Sequence, residues 1–395
     1  MNGDIRLLQK NTLPAEVVVL LLMGLVMLIL GVLLFPVYAG LLPYYEEGLF
    51  GLLIIVAALQ ILALGKSPFG DVHRSLPVVL FGVAVAVFGI VVCFIPGLFG
   101  DVPRLLLILF LGLGGAVQLV QMYLMREEER VRRAADPLLG KLAVLRTTVY
   151  LFSVVLAVIL IFQSLVAGLV MCIAVLGYGV AGTALACVLR QVYQKYPQTE
   201  PAGSVSLSIG NVMLLLIGVF MVVLGVLLIP VSLGLLPFAA SAQLGLLLVI
   251  FSMQMMLLGE TPVGVFSRTH LVVGAGCLLG VVGVICCLIP DVLLVIATLL
   301  IAGVNILGGV LGLGRIAVMM KSAPATDVPV PRFVLQMLVL QIVMNVLTIV
   351  FGVSMLTTTL IPGLVIGAVL AANGCVLLAL LFLMRKAERL PAVAV

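Results

Sequence analysis

Charge is scarce in this sequence: 15 acidic and 20 basic residues make up 9% of its 395 positions, against roughly 25% in soluble globular proteins. Hydrophobic residues take 64%, where roughly 45–50% is usual, so a soluble enzyme is excluded. Tryptophan is missing altogether. Interfacial anchoring therefore falls to Tyr38, Tyr44 and Tyr45 on one side and Tyr123, Tyr193 and Tyr196 on the other. The two histidines, His73 and His270, lie in predicted loops, which leaves haem ligation within a membrane unsupported. The seven cysteines are odd in number, form no C-x-x-C pair and lie in apolar segments. They indicate neither a disulfide framework nor a zinc site. Phosphate-loop, zinc-protease and nucleophile-elbow motifs are also lacking. The basic residues are spread over short loops without interleaved aromatics, so nucleic-acid binding has no support.

What fills the chain instead is long apolar runs without the alternation of barrel strands. A spanning helix needs about 20 apolar residues, so twelve would use roughly 240. The pattern predicts an all-α polytopic membrane protein with spans near 16–37, 47–64, 77–96, 103–125, 146–164 and 167–189. Six more are predicted near 210–231, 241–258, 271–289, 291–313, 332–355 and 361–384. The first run exceeds the roughly 7–15 residues of a signal-peptide core and has a near copy at 214–231, so it reads as a membrane helix. With twelve spans, 19 of the 20 basic residues fall on the side of both termini, leaving only Arg104 opposite. The positive-inside rule then makes both termini cytoplasmic and the location the cell membrane.

The chain repeats itself at an offset of 194: residues 20–44 match 214–238 at 16 of 25 positions. Two parallel six-helix repeats follow, at 1–195 and 196–395, related by an axis along the membrane normal. A second offset of 58 maps Gly24 onto Gly82 and Gly31 onto Gly89 in the first copy, and Gly218 onto Gly276 and Gly225 onto Gly283 in the second. The unit is a helical hairpin with G-x6-G and a proline at its outer end. Seven residues are nearly two turns, so the paired glycines share a face where a neighbouring helix can approach closely.

Hairpins carrying G-x6-G followed by an outer Pro, such as Gly24, Gly31 and Pro36, resemble the HdeD-type acid-resistance membrane protein family. Those are six-helix proteins built from a short repeat. Four of the six hairpins here show the pattern, about two thirds of the chain. The resemblance implies a non-enzymatic membrane protein with a stress or acid-resistance role, and supplies no catalytic, cofactor or metal residues. This chain departs from the family in being two such units fused.

Polar groups within the predicted spans are amides: Gln60, Gln118, Gln254, Asn305, Gln341, Asn345 and Asn373. Hydrogen bonding between helices is the simpler reading of them, and a neutral polar lining for a small solute is the functional one. No charge falls in the central part of a predicted span, which weighs against a proton-coupled pump. The main charged feature is the loop 126–146, where Arg126, Arg130, Arg132 and Arg133 are interleaved with glutamates. The fourth helix is expected to continue until Asp136 and Pro137 stop it. That loop is a candidate contact for anionic lipid, a protein partner or a second copy. Besides the stress-related reading, a twelve-helix secondary transporter of a neutral small solute and a membrane subunit of a larger complex remain open.

Overall fold

In a segment with almost no polar side chains, backbone N–H and C=O groups find partners only in one another, and helices result. The computed structural model describes residues 14–67, 69–71, 76–124, 136–163, 165–196, 209–258, 260–261, 264–265, 270–322, 332–357 and 363–389. Its helices in the first half are α1 (Ala15–Tyr38), α2 (Glu46–Leu59), α3 (Leu76–Phe94), α4 (Val102–Ile108), α5 (Gly114–Tyr123), α6 (Pro137–Ile161) and α7 (Gly168–Lys195). The second half contributes α8 (Ile209–Ser232), α9 (Ala240–Leu258), α10 (His270–Leu288), α11 (Leu294–Ser322), α12 (Arg332–Leu356) and α13 (Gly363–Arg389). Among the described residues ten helical stretches are long and apolar enough to cross a membrane, α4 and α5 counting as one. The predicted span near 47–64 falls short of that length, dividing into α2 and a π turn over Gln60–Leu64, while that near 271–289 is α10, apolar over Val272–Leu288 among the described residues.

Helix ends follow from local chemistry. Pro36 and Pro230 lie in the last turns of α1 and α8. Gly40 and Gly234, both at φ +72°, then reverse the chain in the left-handed conformation that glycine adopts without strain. Leu41 N–H donates to Pro36 O at 2.9 Å and Leu235 N–H to Pro230 O at 3.0 Å, closing a Schellman end in each case. Two short antiparallel ladders, Lys66–Ser67 with Gly70–Asp71 and Glu260–Thr261 with Gly264–Val265, make the turns after α2 and α9.

Glycine contacts set the helix pairing. A Cβ on Gly24 would lie 2.6 Å from Thr183 N, and one on Gly31 would lie 2.6 Å from Leu176 Cα, so α1 meets α7 backbone to backbone. In the same way Gly225 of α8 lies against Ala371 and Gly367 of α13, and Gly218 faces Leu378 at 2.7 Å. Gly89 of α3 meets Gly51 O of α2 at 3.0 Å, and Gly283 of α10 meets Gly245 O of α9 at 2.7 Å. Gly82 and Gly276 face Leu62 and Met256. Such approach is the main way apolar helices gain contact energy when the surroundings are equally apolar.

Contacts divide the chain differently from the sequence halves 1–195 and 196–395. One compact unit is Met1–Ser206 with Ala239–Leu257 and Arg268–Leu293; the other is Leu207–Phe238, Leu258–Ser267 and Leu294–Val395. The hairpin α9–α10 thus belongs with the first-half helices. Within that unit Tyr45 N–H donates to Leu288 O and Ala239 N–H donates to Phe94 O, both at 2.9 Å. Those pairs are reciprocal at the 194-residue offset. Arg104, the lone basic residue of its side in the charge count, donates to Leu160 O at the end of α6, where helix carbonyls lack partners and attract a cation.

Candidate functional site

Two helical stretches of the first unit widen by a residue. Gln60–Leu64 and Leu109–Leu113 are π turns, the first ending at Gly65 (φ +64°) and the second joining α4 to α5. Such turns are rare and recur at functional sites because they re-aim side chains. Gln60 from the first and Phe110 and Leu111 from the second border one cavity of about 280 Å³.

Its walls come from α1, α2, α4, α5, α6, α7 and both π turns. Met23, Leu53, Leu107 and Leu111 make an apolar side. Gln60, Gln118, Tyr150, Ser153 and Tyr178 supply polar groups, and Glu16 and Arg146 supply opposite charges. Deep in the wall, buried Ser153 Oγ donates to buried Tyr178 Oη at 3.4 Å. Gly115 lets α5 come close enough to α6 that a Cβ there would lie 3.0 Å from Ser153 Cβ.

The charged groups are unequally held. Tyr193 Oη donates to Glu16 Oε2 at 2.6 Å, whereas Arg146 Nη2 stands 3.9 Å from Glu16 Oε1, an ion-pair distance beyond hydrogen bonding. Among the described residues Arg146 makes no hydrogen bond, though it also interacts electrostatically with the Tyr193 hydroxyl. A guanidinium carries five N–H donors in a planar fork, so this one borders the cavity with its donors uncommitted.

Below them, Asp136 joins the start of α6 to the end of α7. Its Oδ1 accepts from Leu138 N–H at 3.0 Å, and its Oδ2 accepts from Lys195 Nζ at 2.8 Å and Tyr196 Oη at 2.6 Å. The Lys195, Tyr196 and backbone donors hold the carboxyl at about 2, below its ordinary value. This corrects the expected boundary. The described part of the fourth stretch ends at Leu124, and Asp136 with Pro137 opens α6 as N-cap and first residue, nine residues before the predicted start. Arg146 therefore lies well inside a helix.

Of the amides singled out from sequence, only Gln60 and Gln118 border the cavity. Gln254 is half-buried on α9. Asn305 Nδ2 donates to Ile301 O and Asn345 Nδ2 to Gln341 O, each at 2.8 Å and each within its own helix. Gln341 is exposed, and Asn373 is buried with Oδ1 lacking a partner among the described residues. Arg126, Arg130, Arg132 and Arg133 lie outside the described residues. Glu16, Arg146, Ser153 and Tyr178 were missed by the sequence reading. The Asp136–Pro137 start signal would have moved Arg146 inward; nothing in the sequence marks the π turns.

No family model, curated protein or solved structure matches the chain.

Proposed function

We propose that the chain is a multi-pass membrane protein of twelve spans, in two parallel six-helix repeats with both termini cytoplasmic, and that its first repeat binds a small solute for passage across the membrane. The observation that carries this reading is the cavity among α1, α2 and α4 to α7. It combines an apolar side with hydroxyl, amide and charged groups, the mixture by which pockets orient a ligand. Twelve spans are supported by the 19-to-1 split of basic residues, and parallel repeats by the 194-residue offset and the reciprocal Tyr45 and Ala239 hydrogen bonds. The test is flux of small solutes into proteoliposomes holding the full chain. Saturable uptake that falls at least about tenfold in Gln118→Leu, which removes a polar wall group, is expected. Uptake at the level of empty vesicles across zwitterionic, anionic and neutral solutes would reject the reading.

A second reading rests on the four G-x6-G hairpins with an outer proline. Their resemblance to the HdeD-type family favours a stress-related role without catalysis. It predicts that deleting the gene lowers survival in acid or raises membrane permeability; unchanged survival and permeability would end it.

A further inference from the structure

Cys93 near the end of α3 and Cys287 near the end of α10 are counterparts at the 194-residue offset. A side chain meets its own counterpart where a twofold relating two copies passes. These two meet: both are fully buried, with their thiols within hydrogen-bond reach of each other. Glycines admit the approach. A Cβ on Gly51 of α2 would lie 2.6 Å from Cys93 Cβ, one on Gly245 of α9 would lie 2.7 Å from Cys287 Sγ, and one on Gly48 would run into Cys287 O. The thiols are disposed alike, Cys93 Sγ donating to Gly48 O at 3.8 Å and Cys287 Sγ to Ala242 O at 3.6 Å. A thiol is a weak donor, so neither bond is an obstacle to exchange. Tyr45 ties both cysteine-bearing helix ends to one residue, its N–H donating to Leu288 O at 2.9 Å and its Oη to Cys93 O at 3.1 Å. Ala239 N–H fastens the other side, on Phe94 O at 2.9 Å. A disulfide needs its two backbones held close with the sulfurs turned toward each other, and that is the arrangement here.

We propose that Cys93 and Cys287 form a disulfide that joins the hairpin α2–α3 to the hairpin α9–α10. Its formation passes two electrons and two protons to an oxidised thiol–disulfide exchange protein. The Cys93 thiolate attacks the oxidant's disulfide and releases one of its sulfurs; the Cys287 thiolate then attacks the Cys93 sulfur and releases the other, leaving the oxidant as a dithiol. Both thiols are covered once the hairpins have docked, so the exchange belongs to assembly and the finished bond is shielded from reductants. The orientation proposed above, on which the choice of side rests, puts these helix ends away from the cytoplasm, where disulfides persist.

The test counts free thiols. Cells making the full chain are dissolved directly in SDS with excess N-ethylmaleimide, which reaches buried thiols, and intact-protein mass spectrometry counts the adducts. The unaltered chain is expected to take two fewer than its seven cysteines allow, and all seven when it is reduced before alkylation. Cys93→Ser and Cys287→Ser each remove a cysteine yet are expected to take one adduct more than the unaltered chain, because the partner is released. Seven adducts without reduction overturn the proposal, whatever the variants do. Fewer adducts on either variant than on the unaltered chain also overturn it, since the missing thiols would then be paired otherwise. Protease protection of a tag added at the C-terminus reads the orientation separately: a cytoplasmic tag together with seven adducts rejects the disulfide and leaves the orientation standing.

Discussion

At corresponding glycines the two halves keep the same close contacts, while several neighbouring polar positions differ. Gly31 lies on Leu176 and Gly225 on Ala371; Gly115 lies on Tyr150 and Val154 side by side, and Gly309 on Asn345 and Ile349. The partners in α6 and α7 thus correspond to those in α12 and α13 at an offset of 195. At several cavity positions the match ends, although Gln60, Gly114 and Gly115 keep their identities as Gln254, Gly308 and Gly309. Glu16, Gln118, Arg146 and Tyr178 stand opposite Gly210, Gly312, Gln341 and Asn373. The Gly312 position is filled from across the helix pair, since a Cβ there would run into the Asn345 amide. The helix α11 is also continuous where its counterpart is interrupted by the π turn at Leu109–Leu113. Backbone contact admits no change of side chain, whereas a cavity wall can gain or lose polar groups without moving a helix. The matched glycines thus keep their close contacts, while Glu16 and Arg146 have uncharged residues at the corresponding positions.

Three measurements break or sharpen that contrast. The largest effect is expected where the halves agree: Gly31→Val and Gly225→Val should each lower stability by about 3 kcal/mol, the upper end for overpacking, because backbone rather than a movable side chain blocks the new methyls. Thermal unfolding in detergent reads this, and a loss in only one variant would mean that the two interfaces are not equivalent. Where the halves differ, opposite signs are expected. Ser153→Ala removes a partner of the buried Tyr178 hydroxyl and should cost about 1 kcal/mol, while Asn373→Leu removes a buried acceptor lacking a partner and should gain about 1 kcal/mol. Equal signs by the same assay would refute the assignment. The smallest effect concerns Asp136, whose counterpart at the 195-residue offset is Pro331. Its carboxyl titrates at about 2 in the folded chain, below the roughly 3.9 of an unfolded aspartate. Its stabilisation is thus present above pH about 4 and lost as pH falls through about 2. Asp136→Asn keeps an N-cap but loses the charge, so its Tm deficit at pH 7 should vanish near pH 2; a deficit independent of pH would show that the ion pair contributes nothing.

The all-helical character and most helix limits were legible because apolar runs and glycine-proline ends act locally. The spacing of the eight repeat glycines encodes a face for a related, local reason. Arg146 was misplaced because Asp136–Pro137 was read as a stop, when the same two residues serve equally as a start. The cavity was beyond reach of periodicity. It depends on two π turns, which shift side-chain direction without changing composition, and on Tyr178 and Ser153 meeting across α6 and α7. Grouping α9–α10 with the first half was likewise unreadable, since the repeat predicts like contacts within each copy and says nothing of which copy a hairpin joins.

That grouping bears on biogenesis. The hydrogen bond of Ala239 to Phe94 cannot form until the ribosome has delivered residue 239, nor that of Tyr45 to Leu288 until it has delivered residue 288. The helices made before α9 therefore leave an unfinished surface on α2 and α3, held open through the synthesis of α8. Chains truncated before α10 should be recognised as incomplete by membrane quality control.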